Sequence, residues 1–172
     1  KAELLAALSL GLGPDALIIC NGYKDQAYLR LALKFGETNK IVIVIDIFEE
    51  IFALLRCSKE MGAKPILGLR TKLFSRGSGR WEESGGELSK FGLSTAEILE
   101  SMEILTENGM IDRLKMLHFH IGSQITDIRK IKIAMNEAAR IYAKVRKVAE
   151  VEYFNVGGGL SVDYDGSQTP TP

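Results

Sequence analysis

Two short apolar runs in the second half of the chain end in residues that could bind a flat, anionic molecule. The first ends in His120 and is followed by Gly122 and Ser123. The second is followed by a glycine triplet, Gly157, Gly158 and Gly159. On neighbouring parallel strands, these ends would present an imidazole, a hydroxyl and a row of backbone N–H groups to one ligand. This combination suits a phosphorylated aromatic cofactor.

The glycine triplet predicts an anion site. Glycine permits a positive φ and lets a ligand approach the backbone, and a concave turn of N–H groups binds phosphate without a charged side chain. The alternative is a tight strand-to-helix turn, but three consecutive glycines exceed what such a turn requires. The pattern is not Gly-x-Gly-x-x-Gly, and no acidic residue follows at the ribose-binding distance, so a dinucleotide fold is poorly supported.

His118 and His120 are the two histidines of the chain, and on a strand they would point to the same face. A metal pair would need a companion cluster of Cys, Asp or Glu, which the sequence does not offer, so no metal ligands are predicted. We interpret His118 as a core histidine. His120 precedes Gly122 and Ser123, and we expect its ring to lie on an aromatic cofactor while Ser123 donates to a phosphate.

Three further charged residues are candidates on weaker grounds. Arg70 ends the apolar run 65–69, where a guanidinium needs an anionic or hydrogen-bond-accepting partner unless it reaches solvent. Lys90 in isolation is an ordinary surface lysine, and Glu3 is an ordinary residue of an opening helix. No Ser-His-Asp order or nucleophile elbow is evident.

The elements that must position these residues follow a β–α alternation. Continuous apolar runs are typical of strands buried on both faces of a parallel sheet, and they occur at 16–20, 41–45, 65–69, 115–121 and 151–156. Helical patterns lie between them, at 24–35, 48–61, 94–108 and 128–148. Ser94 and Glu97 predict a capping box, and Gly62 and Gly109 stand where helix C-caps belong.

Five strands in this alternation permit a doubly wound sheet or part of a (β/α)8 barrel. Almost every predicted strand ends in a polar residue or glycine. Such ends converge on one mouth in a barrel, whereas an open sheet concentrates ligand contacts at one switch point. The sequence therefore favours a partial barrel. The segment 71–93 is rich in Gly, Ser and charge, and it predicts an insertion loop that is either functional or disordered.

The composition is that of a globular domain. The 172 residues carry 22 Lys and Arg against 22 Asp and Glu, so nothing indicates a nucleic-acid or membrane-surface partner. Cys20 and Cys57 fit no metal spacing, and we read them as reduced thiols of a cytosolic protein. Because residue 1 is not Met and the tail is polar, we expect a piece of a larger protein or a truncated gene product.

Together these segments resemble the fold-type III pyridoxal-phosphate decarboxylases, which act on ornithine, lysine, arginine or diaminopimelate and share an alanine-racemase-like TIM barrel. The resemblance covers essentially the whole chain and is greatest to the biosynthetic arginine decarboxylases. The His-x-Gly-Ser and triple-glycine elements belong to the whole superfamily. The arginine branch is indicated more specifically by the strings 20–25 (Cys-Asn-Gly-Tyr-Lys-Asp) and 117–124 (Leu-His-Phe-His-Ile-Gly-Ser-Gln), and by the form of the insertion.

The resemblance implies roles for individual residues. His120 matches the histidine stacked on the cofactor ring, and it is the one catalytic residue implied here. Ser123 and the glycine triplet match the phosphate-binding groups, and Arg70 matches an arginine that closes a barrel strand near the cofactor. The implied reaction converts arginine to agmatine and CO2 in polyamine (spermidine) biosynthesis, with pyridoxal 5'-phosphate as cofactor.

Other implications concern the border of the site and its surroundings. Lys90 and Glu3 fall on polar positions that border the family's site. The family usually has an aspartate where this chain has Asn155, which removes a charge beside the glycine triplet. Magnesium dependence and a homo-oligomer are also expected from the family, although the sequence shows no magnesium site.

By this resemblance, residues 1–172 are one segment of the cofactor-binding barrel, about strands three to seven. The cofactor lysine is expected before residue 1, and the acidic partner of the pyridine nitrogen after residue 172, as is a C-terminal β domain. The isolated segment is therefore expected to be inactive. Two alternatives stay open: a truncated, non-catalytic homologue that binds partners, and a decarboxylase of diaminopimelate or ornithine.

Overall fold

The computed structural model describes residues 1–74, 90–163 and 166. Within these ranges, parallel strands alternate with helices along the chain. In chain order the elements are α1 (Ala2–Ser9), β1 (Leu17–Cys20), α2 (Gln26–Phe35), β2 (Lys40–Ile45), α3 (Glu50–Met61), β3 (Ile66–Arg70), α4 (Thr95–Glu107), a 3-10 turn (Ile111–Arg113), β4 (Leu114–His118), α5 (Ile128–Val145) and β5 (Tyr153–Asn155).

The five strands form one sheet in the order β1-β2-β3-β4-β5, and each pairs with the next in parallel. Sequential order with every connection crossing through a helix is the arrangement of a (β/α)8 barrel, not of a doubly wound sheet, whose strand order reverses. The sheet is curled into half of such a barrel. The partial barrel predicted from the sequence is therefore confirmed.

The two faces of the sheet are buried by different partners. Alternate residues of β2 and β3, such as Ile43 and Leu67, join the larger core with residues of α2, α3 and α4. The intervening residues of β2 and β3, such as Val44 and Ile66, join Met116 of β4 in a second, smaller apolar cluster on the opposite face. There Gly68 allows close packing, because a Cβ on it would lie 3.0 Å from the Val44 Cγ2 atom. Burial on both faces explains why the strands read as continuous apolar runs.

Local capping sets the helix starts. The predicted capping box is confirmed, since Glu97 N–H donates to Ser94 Oγ at 3.3 Å and Ser94 N–H donates to Glu97 Oε2 at 2.7 Å. Asp25 caps α2 by accepting from Tyr28 N–H at 2.7 Å. Gly62 ends α3 in the left-handed conformation, with φ of 65°. The two N-caps fix where the loops at the carboxyl ends of β1 and β3 end, whereas Gly62 begins the loop into the amino end of β3.

The element ends differ from the predicted ones where the chain turns at the carboxyl edge. β4 ends at His118 rather than at residue 121, because the backbone turns at Gly122, whose φ is 128°. Contact with the β5 side nevertheless continues, since Ile125 N–H donates to Gly159 O at 2.8 Å. α5 ends at Val145, three residues before the predicted end.

The predicted insertion 71–93 is described at its two ends only, and 75–89 lie outside the described residues. Thr71 and Leu93 form a parallel bridge, so the segment leaves and returns at the same point of the sheet. Gly92 N–H donates to Asp46 O at 2.7 Å, and Leu93 N–H donates to Arg70 O at 2.7 Å. The returning residues therefore lie against the ends of β2 and β3.

Across the described ranges, no helix combines the length and the apolar character that crossing a bilayer requires.

Candidate active site

Four polar residues form a row across the sheet at the carboxyl ends of β2 to β5. The strand register pairs Arg70 with His118 and His118 with Asn155, and Asp46 follows the Ile45–Leu69 pair directly. Strand alternation puts these residues on the face of the smaller apolar cluster, away from the helices. The row therefore lies at the mouth of the half barrel, where this fold places active sites.

Arg70 is held within this row by two contacts. Its Nη1 atom lies 2.8 Å from Asp46 Oδ2, and the Phe91 ring centroid lies 5.4 Å from its guanidinium carbon. The Arg70 side chain is 17% exposed and the Asp46 side chain is fully buried. The sequence called for an anionic or hydrogen-bond-accepting partner unless this arginine reached solvent, and Asp46 is that partner. One side of the cation still reaches the mouth of the half barrel.

His118 lies in the core, as the sequence predicted. It is 4% exposed, and its Nδ1 atom is 3.2 Å from the backbone oxygen of Asn155. A carbonyl oxygen can only accept, so Nδ1 donates and Nε2 is left as an acceptor. Burial lowers the pKa of the His118 ring below its usual range, and the positive charge of Arg70 lowers it further. The ring is therefore neutral at neutral pH.

His120 and the glycine triplet lie on the same rim. Gly158 N–H donates to His120 Nδ1 at 3.3 Å. A Cβ on Gly157 would lie 2.9 Å from the same nitrogen. The His120 pKa is also lowered, first by burial and then by the charge of Arg70. A neutral ring that accepts at Nδ1 carries its proton on Nε2.

The three glycines have different structural roles. A Cβ on Gly159 would lie 1.8 Å from Gly122 O, and one on Gly157 would lie 2.5 Å from Phe119 O. A Cβ on Gly158 would meet nothing within 4 Å. The sequence interpretation assigned all three glycines to a ligand. In the structure the outer two permit close backbone packing, and the middle one alone faces open space.

The side chains around the triplet form its rim. Asn155 Oδ1 accepts from Gly157 N–H at 2.9 Å, a turn that an amide or a carboxylate can support equally. Ser123 is exposed, and its Cα atom lies 3.5 Å from where a Cβ on Gly159 would be. Ser123, His120 and the triplet are therefore neighbours, as the sequence predicted.

The two border candidates, Lys90 and Glu3, lie in different places. Lys90 is exposed and directly precedes Phe91, which covers Arg70, so it lies at the mouth of the half barrel. Glu3 is exposed in the first turn of α1, which packs at β1. Its charge contributes to a raised pKa of the Tyr28 phenol, whose largest cause is burial. Glu3 therefore lies on the β1 side of the sheet, away from the histidines at β4.

Sequence reasoning missed the buried pair Lys24 and Glu50. Glu50 Oε1 accepts from Lys24 N–H at 2.7 Å, and Glu50 Oε2 accepts from Asp46 N–H at 2.8 Å. A signal was present, since Glu50 falls on the buried stripe of α3 together with Ile51 and Leu54. A carboxylate on an apolar helix stripe needs buried donors, and the sequence does not reveal which ones.

With this geometry in place, comparison with known proteins identifies the family. The model of the family described as pyridoxal-dependent decarboxylase, pyridoxal binding domain, matches residues 1–172. The chain belongs to this family. Membership in this family accounts for the parallel half barrel.

Several similar relatives are named biosynthetic arginine decarboxylases. The chain is 52% identical over 172 residues to a biosynthetic arginine decarboxylase of Deinococcus radiodurans, covering 98% of this chain and 26% of that protein. It is 44% identical over 171 residues to the one from Bacteroides thetaiotaomicron, covering 98% and 27%. The chain thus spans about a quarter of the length of the curated relatives it matches.

Solved structures agree in fold. The biosynthetic arginine decarboxylase of Campylobacter jejuni superposes with a TM-score of 0.83 at 36% identity, covering 96% of this chain and 27% of that chain. Diaminopimelate decarboxylase of Helicobacter pylori, solved in complex with L-lysine, gives a TM-score of 0.81 at 24% identity, covering 97% and 42%. The second likeness shows the fold alone.

The residues at the mouth fit a phosphorylated pyridine. The space over Gly158 is open, and the Arg70 cation lies on the same edge of the sheet. Asp46 Oδ1 is buried and has no hydrogen-bond partner within the described part of the chain, so it can accept from a further group. No group of three or more His, Cys, Asp or Glu within the described ranges could hold a metal ion.

Proposed function

We propose that this chain is the cofactor-binding segment of an arginine decarboxylase, which converts arginine to agmatine and CO2. The observation that carries the proposal is the contact between His120 and the glycine triplet, at the mouth of a half barrel of pyridoxal-dependent decarboxylase type. The product agmatine is a precursor of polyamines, including spermidine.

The roles of the residues follow from their positions. His120 would lie against the pyridine ring, and as a neutral imidazole it would add no charge there. Ser123 would hold the phosphate in the open space over Gly158, and the Gly158 N–H, which donates to His120 Nδ1 in this structure, would turn to a phosphate oxygen. Arg70 supplies positive charge at the same edge. Bound pyridoxal 5'-phosphate supplies the electron sink for decarboxylation, and the protein supplies orientation and electrostatics.

Arginine is the favoured substrate because of the identity to the arginine branch. Relatives named biosynthetic arginine decarboxylase are 44% and 52% identical to this chain over the 171 and 172 residues that align. Diaminopimelate decarboxylases share the fold at 24% identity and support no substrate assignment. We place the activity in a homo-oligomeric cytoplasmic protein that acts on a small molecule. No step is assigned to magnesium, since the described residues offer it no cluster of ligands.

A substrate panel tests the proposal. The protein is expressed from its complete reading frame, loaded with pyridoxal 5'-phosphate, and supplied separately with arginine, ornithine and diaminopimelate. We expect agmatine and CO2 from arginine and no comparable CO2 release from the other two. Turnover of ornithine or diaminopimelate in preference to arginine would overturn the substrate assignment. Cofactor binding without turnover of any substrate would instead favour a non-catalytic, partner-binding homologue.

A further inference from the structure

Beyond the rim residues, four charged residues form what we call the charge cluster: Lys24, Asp46, Glu50 and Arg70. Lys24 and Glu50 are paired at 3.3 Å, and Arg70 and Asp46 at 2.8 Å. Lys24 is 2% exposed, Glu50 is 3% exposed and Asp46 is fully buried. The cluster joins the loops that follow β1, β2 and β3.

Glu50 is the centre of this cluster. Its two carboxylate oxygens accept from the backbone N–H groups of Lys24 and Asp46, and Oε2 also faces the Lys24 ammonium. The ammonium donates in turn to Gly22 O. One carboxylate thus ties the loop after β1 to the residue that directly follows β2.

Asp46 transmits this fixation to Arg70. Its backbone N–H is held by Glu50, its backbone oxygen by Gly92 N–H, and its side chain pairs with the guanidinium. Because the Asp46 backbone is held at both its N–H and its carbonyl oxygen, the position of the Asp46 carboxylate is fixed, and it orients the Arg70 guanidinium. The arginine then meets the ring of Phe91 on its other side.

We propose that Glu50 is a positioning residue that sets the Arg70 guanidinium at the cofactor site through the backbone of Asp46. The inference rests on the proposed function for its consequence, cofactor affinity, but not for its geometry. A charge pair that served stability alone would be replaceable by apolar residues of similar volume. Glu50 instead offers two carboxylate oxygens that accept from backbone N–H groups, and an apolar side chain cannot replace them.

Glu50→Gln tests this directly, because it replaces one acceptor oxygen with a donor. The neighbouring, exposed Glu49→Gln is the matched control. In the protein from the complete reading frame, pyridoxal 5'-phosphate titration should show about a tenfold or greater loss of affinity for Glu50→Gln, in line with other positioning partners. Glu49→Gln should bind like the unaltered protein. Unchanged affinity in Glu50→Gln would overturn the proposal.

A double-mutant cycle with Arg70→Met shows whether Glu50 acts through the arginine. If it does, adding Glu50→Gln to Arg70→Met costs no further affinity, since the effects of residues in one hydrogen-bond network are not additive. Equal losses in both backgrounds would contradict the proposal. Should Glu50→Gln fail to fold because Lys24 is left unpaired, the neutral pair Lys24→Met with Glu50→Gln replaces it. That double variant is expected to fold and bind weakly, and wild-type affinity in it would count against Glu50.

Crystal structures test the role of Glu50 even if the protein binds no cofactor. If the unaltered protein binds no pyridoxal 5'-phosphate, the proposed function fails, and the geometry still decides the role of Glu50. In Glu50→Gln, or in the neutral pair if that variant is needed, the Arg70 Nη1 to Asp46 Oδ2 distance should open from 2.8 Å to beyond contact. A pair retained at its present distance would overturn the proposal.

Discussion

Alanine substitutions within the glycine triplet should separate packing from ligand binding. A Cβ on Gly159 would lie 1.8 Å from the backbone oxygen of Gly122, and the residue has a φ of 105°. No flexible side chain can move to relieve that contact, so the backbone itself must shift. Overpacking costs about 1–3 kcal/mol and a left-handed backbone about 1–2 kcal/mol for an L-residue. Gly159→Ala should therefore lower the free energy of unfolding by about 2–5 kcal/mol.

Gly158→Ala is the matched control, because its Cβ would meet nothing within 4 Å. Its free energy of unfolding should stay within about 0.5 kcal/mol of the unaltered protein. The new methyl group would nevertheless occupy the space assigned to the phosphate. We therefore expect weaker binding of pyridoxal 5'-phosphate in a variant of normal stability.

The assay is urea denaturation of both variants, combined with cofactor titration of the folded proteins. The prediction is refuted if Gly159→Ala is as stable as the unaltered protein, because the close approach of Gly159 to Gly122 would then not exist. It is also refuted if Gly158→Ala is destabilised as much as Gly159→Ala. Normal cofactor affinity in Gly158→Ala would show that the phosphate does not bind at this loop.

Three further predictions concern pH and helix stability. Burial holds the pKa of His118 below its usual 6.5, so the unfolded chain binds that proton more readily and thermal stability should fall as the pH drops below 6.5. His118→Gln should show a shallower fall, and the same pH dependence of stability in both proteins would contradict this. Asn155→Asp keeps the acceptor for Gly157 N–H and places a carboxylate beside His118, so it should raise the pKa of that ring and also make the acid fall shallower; an unchanged curve would argue against it. Ser94→Ala removes the cap of α4 and should cost about 1 kcal/mol in urea denaturation. By contrast, Ser101→Ala on the same helix should cost nothing, since within the described residues the Ser101 hydroxyl is buried without a partner.

Much of the fold could be predicted because its signals are local. Strands buried on both faces leave continuous apolar runs, and the Ser94 capping box depends on residues three apart. The sequence predicted the ends of the elements at the carboxyl edge less accurately. There the chain turns at Gly122, and contacts to the glycine triplet take over from the strand ladder.

The rim of the site could also be predicted, whereas its support could not. His120, Ser123 and the triplet follow two apolar runs directly, so strand adjacency alone brings them together. Lys24 follows β1, Asp46 and Glu50 belong to the β2–α3 unit, and Arg70 ends β3, so these partners depend on which strands pair. The sequence marks Glu50 as a charge on a buried helix stripe but does not name its donors.

The most direct test of the account is a crystal structure of the protein, expressed from its complete reading frame, with pyridoxal 5'-phosphate bound. We predict the phosphate within hydrogen-bond distance of the Ser123 hydroxyl and of Gly158 N–H, which exchanges His120 Nδ1 for a phosphate oxygen, with the His120 ring parallel to the pyridine ring. A phosphate bound away from the glycine triplet, or a pyridine that does not contact His120, would contradict the central claim.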